Sequence, residues 1–274
     1  MHRQYVHIGP RTISYFDSAP GDDRANALVL VHAFPLGAGM WEPQLKAVPS
    51  GWRLITPDLR GFGGSTIAEP DDSPTMDDYA ADVGDLLRTL NIHSAVVGGC
   101  SMGGYAVMAI ARRAPELVRA LVLIDTRATA DTSEGRANRR GMLALLEREG
   151  APGVARDMMP KLLGKTTLDE RPEIEPFVRR LIKQHSGAAL KGGIYRMMGR
   201  PDSSAVLEQL AVPILVMVGE EDILTPPDDA RKMFALNRHA RIVVLPRAGH
   251  LPNLETPGAF NEALSSFLMT RTAS

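Results

Sequence analysis

The chain has 274 residues, 44% of them hydrophobic and 23% charged, which is enough apolar sequence for a large core in an ordinary globular composition. A formal net charge of -1 gives no electrostatic reason to expect nucleic acid or an anionic membrane surface as partner. A single cysteine, Cys100, excludes an intramolecular disulfide framework and a Cys-rich metal site.

The N-terminal MHRQYVHIGPRTISYFD alternates like a strand and contains no apolar h-region, so no signal peptide is read there. No run approaches the ~20 apolar residues of a membrane span, and a soluble, cytoplasmic protein is expected. RQYVHI and RTISYF around Gly9-Pro10 read as a β-hairpin. After them the period changes. ALVLVH (27–32), WRLITP (52–57), SAVVGG (94–99), VRALVLI (118–124), PILVMVG (213–219) and ARIVVLP (240–246) are short, continuous and rich in β-branched residues, the pattern of strands covered on both faces of a mainly parallel sheet. MDDYAADVGDLLRTL, MGGYAVMAIARRA, PDDARKMFALN and PGAFNEALSSFLMT read as helices between or after these strands, which implies an α/β fold with helices on both sheet faces. The tail TRTAS is expected to fray.

One connection breaks the alternation. Residues 126–212 hold no convincing strand but do hold the helical stretches EGRANRRGMLALLERE, EIEPFVRRLIKQH and ALKGGIYRMMG. A structureless loop of that length is improbable in a folded domain, so a helical cap is expected at 126–212, inserted into a core domain made of 1–125 and 213–274.

GGCSMGG, Gly98 to Gly104, sits between a strand and a helix. Glycine weakens both, so its density here indicates a backbone path closed to other residues. Gly99-Cys100-Ser101-Met102-Gly103 is G-x-S-x-G in the strand-turn-helix context of a nucleophile elbow. The rival is a glycine-rich turn that binds a phosphate or nothing. A serine at neutral pH needs a base, and the base needs a carboxylate to orient it. Asp222 in GEEDILTPP and His250 in RAGHLPNLETP each follow the end of a strand.

The order Ser101, Asp222, His250, together with HAFPLGAGMWEPQ (32–44), DLRGFGGS (58–65), GCSMGG, GEED and GHLPNLE, resembles the α/β-hydrolase superfamily over nearly the whole chain. The resemblance implies the α/β-hydrolase fold with an inserted helical cap, a catalytic Ser101-His250-Asp222 triad, and an oxyanion hole made by the backbone N–H groups of Phe34 and Met102. Ala33 stands where the family usually has glycine. Within the superfamily the chain is similar to carboxylesterases, 3-oxoadipate enol-lactonases and cofactor-free perhydrolases.

Other titratable residues have plainer roles. His32 is structural in the family pattern, and Arg60 is a scaffold donor in its turn. Cys100 packs, and Glu220 and Glu221 are exposed loop charges. Asp125, at the end of VRALVLI, is the rival to Asp222 as the acid. The histidines form no metal-binding pair and the glycines lack dinucleotide-binding spacing, so no metal and no cofactor are expected.

The expected reaction is hydrolysis of a carboxylic ester through an acyl-enzyme, with a small-molecule ester or lactone as substrate and neither nucleic acid nor a membrane as partner. Trp41, Arg127, Met142, Met158, Tyr195 and Met198 are candidate pocket residues, their rival role being packing within the cap. A carboxylate-bearing enol-lactone would need a cation, for which Arg127 is the candidate, although a salt bridge is the commoner fate of such an arginine. Small neutral aryl or alkyl esters are therefore the expected substrates, with enol-lactone hydrolysis and perhydrolysis as alternatives. A non-catalytic ligand receptor on the same fold is the reading from a different class, since fold does not fix function.

Overall fold

The computed structural model describes residues 2–66 and 73–271, so the last residues of the expected frayed tail, 272–274, lie outside the described residues. Its strands are β1 (Gln4–Ile8), β2 (Arg11–Asp17), β3 (Asn26–Val31), β4 (Trp52–Pro57), β5 (Ala95–Cys100), β6 (Val118–Ile124), β7 (Ile214–Gly219) and β8 (Ala240–Leu245). They form one sheet in the order β1-β2-β4-β3-β5-β6-β7-β8. β1 and β2 are the expected hairpin, with Gly9 at φ 56° in its turn. β2 joins β4 antiparallel, and every pairing from β4 to β8 is parallel.

The apolar runs explain which strands lie inside. All residues of β4, β5 and β7 are buried, and so is nearly all of β3 and β6. Each fully buried Val, Leu or Ile stabilises the fold by roughly 1.5–3 kcal/mol. β8 departs from the expectation of cover on both faces. It is the sheet edge, with only Leu245 fully buried and Val244 exposed.

The helices are α1 (Glu42–Leu45), α2 (Met76–Thr89), α3 (Met102–Arg113), α4 (Ser133–Leu162), α5 (Lys165–Glu170), α6 (Ile174–Ile182), α7 (Gly187–Gly199), α8 (Ser204–Gln209), α9 (Pro227–Leu236), α10 (Pro252–Glu255) and α11 (Pro257–Arg271). α2 starts where Thr75 and Asp78 form a capping box, then buries Tyr79, Val83, Leu86 and Leu87 while its acids face outward or toward arginines. α4 to α8 all lie between β6 and β7. The three expected helical stretches fall on α4, α6 and α7. The continuation of α4 beyond Gly150 was not legible, because Gly150 at φ 65° interrupts the helix and Pro152 follows it. None of the helices among the described residues is long and apolar enough to cross a membrane.

A buried polar knot fixes the loops after β3 and β4. Leu59 N–H donates to His32 Nε2 at 3.0 Å, so the proton sits on Nδ1, which donates to Ala33 O at 3.0 Å. Asp58 accepts from Ser14 Oγ at 2.6 Å and from Ala38 N at 2.7 Å. The helical insertion reaches the same knot through His185, whose Nδ1 accepts from Gly63 N at 3.3 Å and whose ring packs on Phe62. Burial pushes the His32 imidazole down to about 4. Burial, reinforced by neighbouring His32, does the same to His185.

Both histidines are thus neutral when folded and bind protons more readily once unfolded. Their contribution to stability is complete above about pH 6.5 and declines as pH falls toward 4. For fully buried His32 the loss amounts to about 3 kcal/mol at the acid end. Thermal melts at pH 7 and pH 5 should show a lower Tm at pH 5, and His185→Asn should flatten part of that slope. An unchanged Tm between the two values contradicts the neutral assignment.

Candidate active site

β5 ends at Cys100 and α3 begins at Met102, leaving Ser101 to make the whole turn at φ 54° and ψ -112°. A side chain at Gly99 would lie 2.2 Å from the Gly103 carbonyl, one at Gly103 2.2 Å from Val31 O, and one at Gly104 2.4 Å from Thr126 Oγ1. The glycines are therefore required by close approach to β3, to α3 and to the loop after β6. Serine at a helix N-cap commonly accepts a bond from the helix backbone, but the Ser101 side chain makes no such bond. Ser101 is partly exposed and lines a cleft.

Asp222 and His250 come from the loops after β7 and β8. His250 Nδ1 lies 2.8 Å from Asp222 Oδ2, with both side chains buried. Asp222 Oδ1 accepts from the backbone of Leu224 at 2.8 Å and of Thr225 at 3.1 Å, and Thr225 Oγ1 donates to Oδ2 at 2.6 Å. Burial alone would raise the Asp222 carboxyl, but the charge and hydrogen bond of His250 and the donors from Thr225 outweigh it and hold the carboxyl at about 2. This loop accounts for the type of residue at 225, which the sequence did not flag.

Asp125 is equally buried, at φ 43°, with Oδ1 accepting from Gly219 N at 2.8 Å. Burial, with the Asp222 charge beside it, pushes its carboxyl well above the usual range. His250 Nδ1 bonds Asp222 rather than Asp125. Asp125, Asp222 and His250 form the one group among the described residues close enough to share a metal ion, with ligand atoms within 4.8 Å of one another. Their oxygens already accept from Gly219, Leu224, Thr225 and His250, an arrangement suited to sharing protons. Burial and these acids also raise the Cys100 thiol, which is fully buried and stays protonated.

Ser101 and His250 line a cleft of about 580 Å³. Its buried wall includes Phe34, Tyr105, Met158 and Met197, and Met142 and Leu145 are partly buried beside them. Of the six expected pocket residues, Arg127, Met142 and Met158 line this cleft. Trp41 does not, because its indole packs on Phe260 of α11 at 6.1 Å and is fully buried. Tyr195 and Met198 of α7 line a separate surface groove with Thr75, Lys191 and, from α4, Arg136 and Arg140.

The cleft is also less apolar than expected. Arg127, Arg139, Lys161, Asp131 and Asp157 line it, and the charges pair among themselves and with neighbours. Asp131 lies between Arg139 and Arg200, Lys161 meets Asp157, and Arg127 meets Asp229 at 3.2 Å while donating to Leu224 O. Sequence reading did not anticipate Tyr105, over whose ring Arg200 lies at 3.9 Å, or Arg139 as cleft residues. Helical spacing of Arg139 with Met142 and Leu145 was the available signal.

Phe34 lies in the cleft wall, and Met102 is the first residue of α3, where a helix offers an N–H with no intrahelical partner. Arg60 is a scaffold donor, gripping Asp82 of α2 through two 2.8 Å bonds rather than acting within its own turn. Glu220 is exposed, but Glu221 is only partly so. It accepts from Thr166 N at 2.8 Å, a correction to its reading as an exposed loop charge.

Comparison with known proteins places this geometry among relatives. The pattern of the alpha/beta hydrolase family matches residues 28–263. A putative non-heme bromoperoxidase of Mycobacterium tuberculosis is 30% identical over 264 residues, covering 93% of this chain and 97% of that protein. A 3-oxoadipate enol-lactonase of Acinetobacter baylyi is 26% identical, covering 90% of each. A malate-bound thermophilic esterase from Thermogutta terrifontis superposes with a TM-score of 0.89 at 33% identity, covering 98% of both chains.

Proposed function

The chain belongs to the alpha/beta hydrolase family, and we propose that within it the protein is a cytoplasmic serine hydrolase of carboxylic esters, acting on small neutral aryl or alkyl esters. The observation that carries this reading is the buried 2.8 Å bond from His250 to an Asp222 held ionised, in the same cleft as a Ser101 whose hydroxyl does not cap its helix.

In this reading Ser101 Oγ attacks the ester carbonyl as His250 Nε2 takes its proton. Asp222 holds the imidazole tautomer and stabilises the imidazolium. The N–H groups of Phe34 and Met102 stabilise the oxyanion, each contributing about 2.7–4 kcal/mol to the transition state. His250 then protonates the leaving alcohol, and water repeats the sequence on the acyl-enzyme. Ser101, His250 and water handle every proton, so the reading invokes no cofactor. Residues 126–212 serve as the cap that shapes the acyl pocket.

Enol-lactone hydrolysis is the second reading, favoured by the three cations in the cleft. Against it, Arg127, Arg139 and Lys161 each already face a carboxylate. A substrate anion would have to displace one of those partners. Neutral esters need no such exchange.

Ser101→Ala and His250→Ala should each lower turnover of a p-nitrophenyl ester by about 10³-fold or more while leaving circular dichroism unchanged. Activity near wild type in either variant removes the triad. Asp222→Asn should lose far more kcat than Asp125→Asn, because only Asp222 bonds the imidazole, and the reverse ranking would transfer the acid role to Asp125.

Measured kcat/KM should be higher for short neutral esters than for a carboxylate-bearing lactone. Arg127→Ala should affect both substrates in the same proportion, as expected of a residue that braces the Leu224 loop. A preference for the anionic lactone that disappears selectively in Arg127→Ala would establish the second reading instead.

A further inference from the structure

Two carboxylates outside the triad join the loops carrying Asp222 and His250 to the helical insertion. Glu255, in α10 just after the His250 loop, is fully buried. Its Oε1 accepts from Leu251 N at 2.9 Å, and its Oε2 accepts from Gly164 N at 2.7 Å. Leu251 directly follows His250, and Gly164 is the turn between α4 and α5. One carboxylate therefore holds the backbone next to the base and the backbone of the insertion together.

Glu221, directly before Asp222, makes the matching tie from the other loop. It accepts from Thr166 N at 2.8 Å and from Thr166 Oγ1, while its own N–H donates to Ala248 O at 2.8 Å. A buried carboxylate is costly unless donors surround it, and three of the four donors to Glu221 and Glu255 come from the insertion.

The packing is as close as the bonding. A side chain at Gly249 would lie 2.3 Å from Gly164 N, one at Gly164 2.6 Å from Glu221 Oε2 and 2.7 Å from Gly249 N, and one at Gly219 2.0 Å from Gly249 O. The end of β7, the His250 loop and the Gly164 turn are therefore stacked backbone on backbone at Gly219, Gly249 and Gly164. A further tie runs from Arg171, just after α5, to Arg247 O at 3.0 Å.

We propose that Glu221 and Glu255 are positioning residues that lock the Asp222 and His250 loops to the Gly164–Thr166 turn, so that the seating of the helical insertion sets the reach of His250 toward Ser101. The proposal rests on the triad reading above. It makes the insertion part of the catalytic alignment as well as a wall of the cleft, and a substrate that shifts the insertion alters kcat even when its scissile ester is unchanged.

The test uses the full chain, p-nitrophenyl acetate as a substrate too small to reach far into the insertion, and an alkyl fluorophosphonate as a label for the reactive serine. Gly164 has φ -65°, so Gly164→Ala is compatible with the backbone and acts through the contacts of its methyl group. Gly164→Ala and Glu255→Gln, assayed well below their Tm, should lower kcat and the labelling rate by about tenfold, with KM changed much less, as misalignment of a base requires. Glu221→Gln, at a partly exposed position, should show the same split to a smaller degree and carries the test if the other two fail to fold.

Folded variants with lowered Tm but with labelling rates within about twofold of wild type would overturn the proposal, because a merely structural tie moves Tm alone. A wild-type chain that takes no label overturns the triad reading and this proposal with it. A labelled wild type with equally labelled variants overturns only the proposal.

Discussion

Between Gly99 and Gly104 the backbone passes so close to β3, to α3 and to Thr126 that side chains are excluded at three positions, and Ser101 alone turns the chain at φ 54°. The rest of the site depends on that constraint. Left-handed geometry at a non-glycine residue is strained and persists only where its surroundings enforce it. Here it keeps the hydroxyl from serving as an ordinary helix cap and leaves the first amide of α3 beside it. The proposed nucleophile and one proposed oxyanion donor would thus share one local distortion, supported by the burial of β5 on both faces.

Asp125 and Asp222 show how environment separates two chemically identical groups. Both are buried within hydrogen-bonding range of the same region. Asp222 is surrounded by donors from Leu224, Thr225 and His250, whereas Asp125 accepts from Gly219 N and feels the charge of its neighbour. Two adjacent carboxylates do not both ionise in a dry site, so the one with more donors takes the charge. The sequence placed both acids at strand ends, and the donors that distinguish them come from the loop geometry at 222–225.

The sheet was legible because its strands are continuous β-branched runs that the central positions demand, and the order of Ser101, Asp222 and His250 could be read from the strand ends they follow. The edge position of β8 was not legible, since ARIVVL looks as apolar as an inner strand and only topology exposes it. The pocket was read only in part. Met142 and Met158 lie on the cleft side of α4, while Tyr195 and Met198 lie on a helix whose rotation is set by its packing against α4. Trp41 is absorbed by Phe260, a partner far away in sequence, and Glu221 by Thr166. In each case local pattern identified a residue of the right chemistry, and a distant contact determined where it went.

β6 and β7 are hydrogen-bonded neighbours although the whole stretch from α4 to α8 lies between them in the chain. The entropy of closing such an excursion grows only with the logarithm of its length, about 0.6 kcal/mol for each doubling. The sheet is therefore nearly indifferent to how long the excursion is. Variation there is thermodynamically cheap for the scaffold, and its limits are local. A replacement segment of almost any length would leave β6 and β7 paired, provided that it returned a backbone amide to Glu255 at the same point in space. In evolutionary terms, the fold leaves the excursion free to diversify in length while holding it to the core at a few fixed points, among them the Gly164–Thr166 turn, Arg171 and His185.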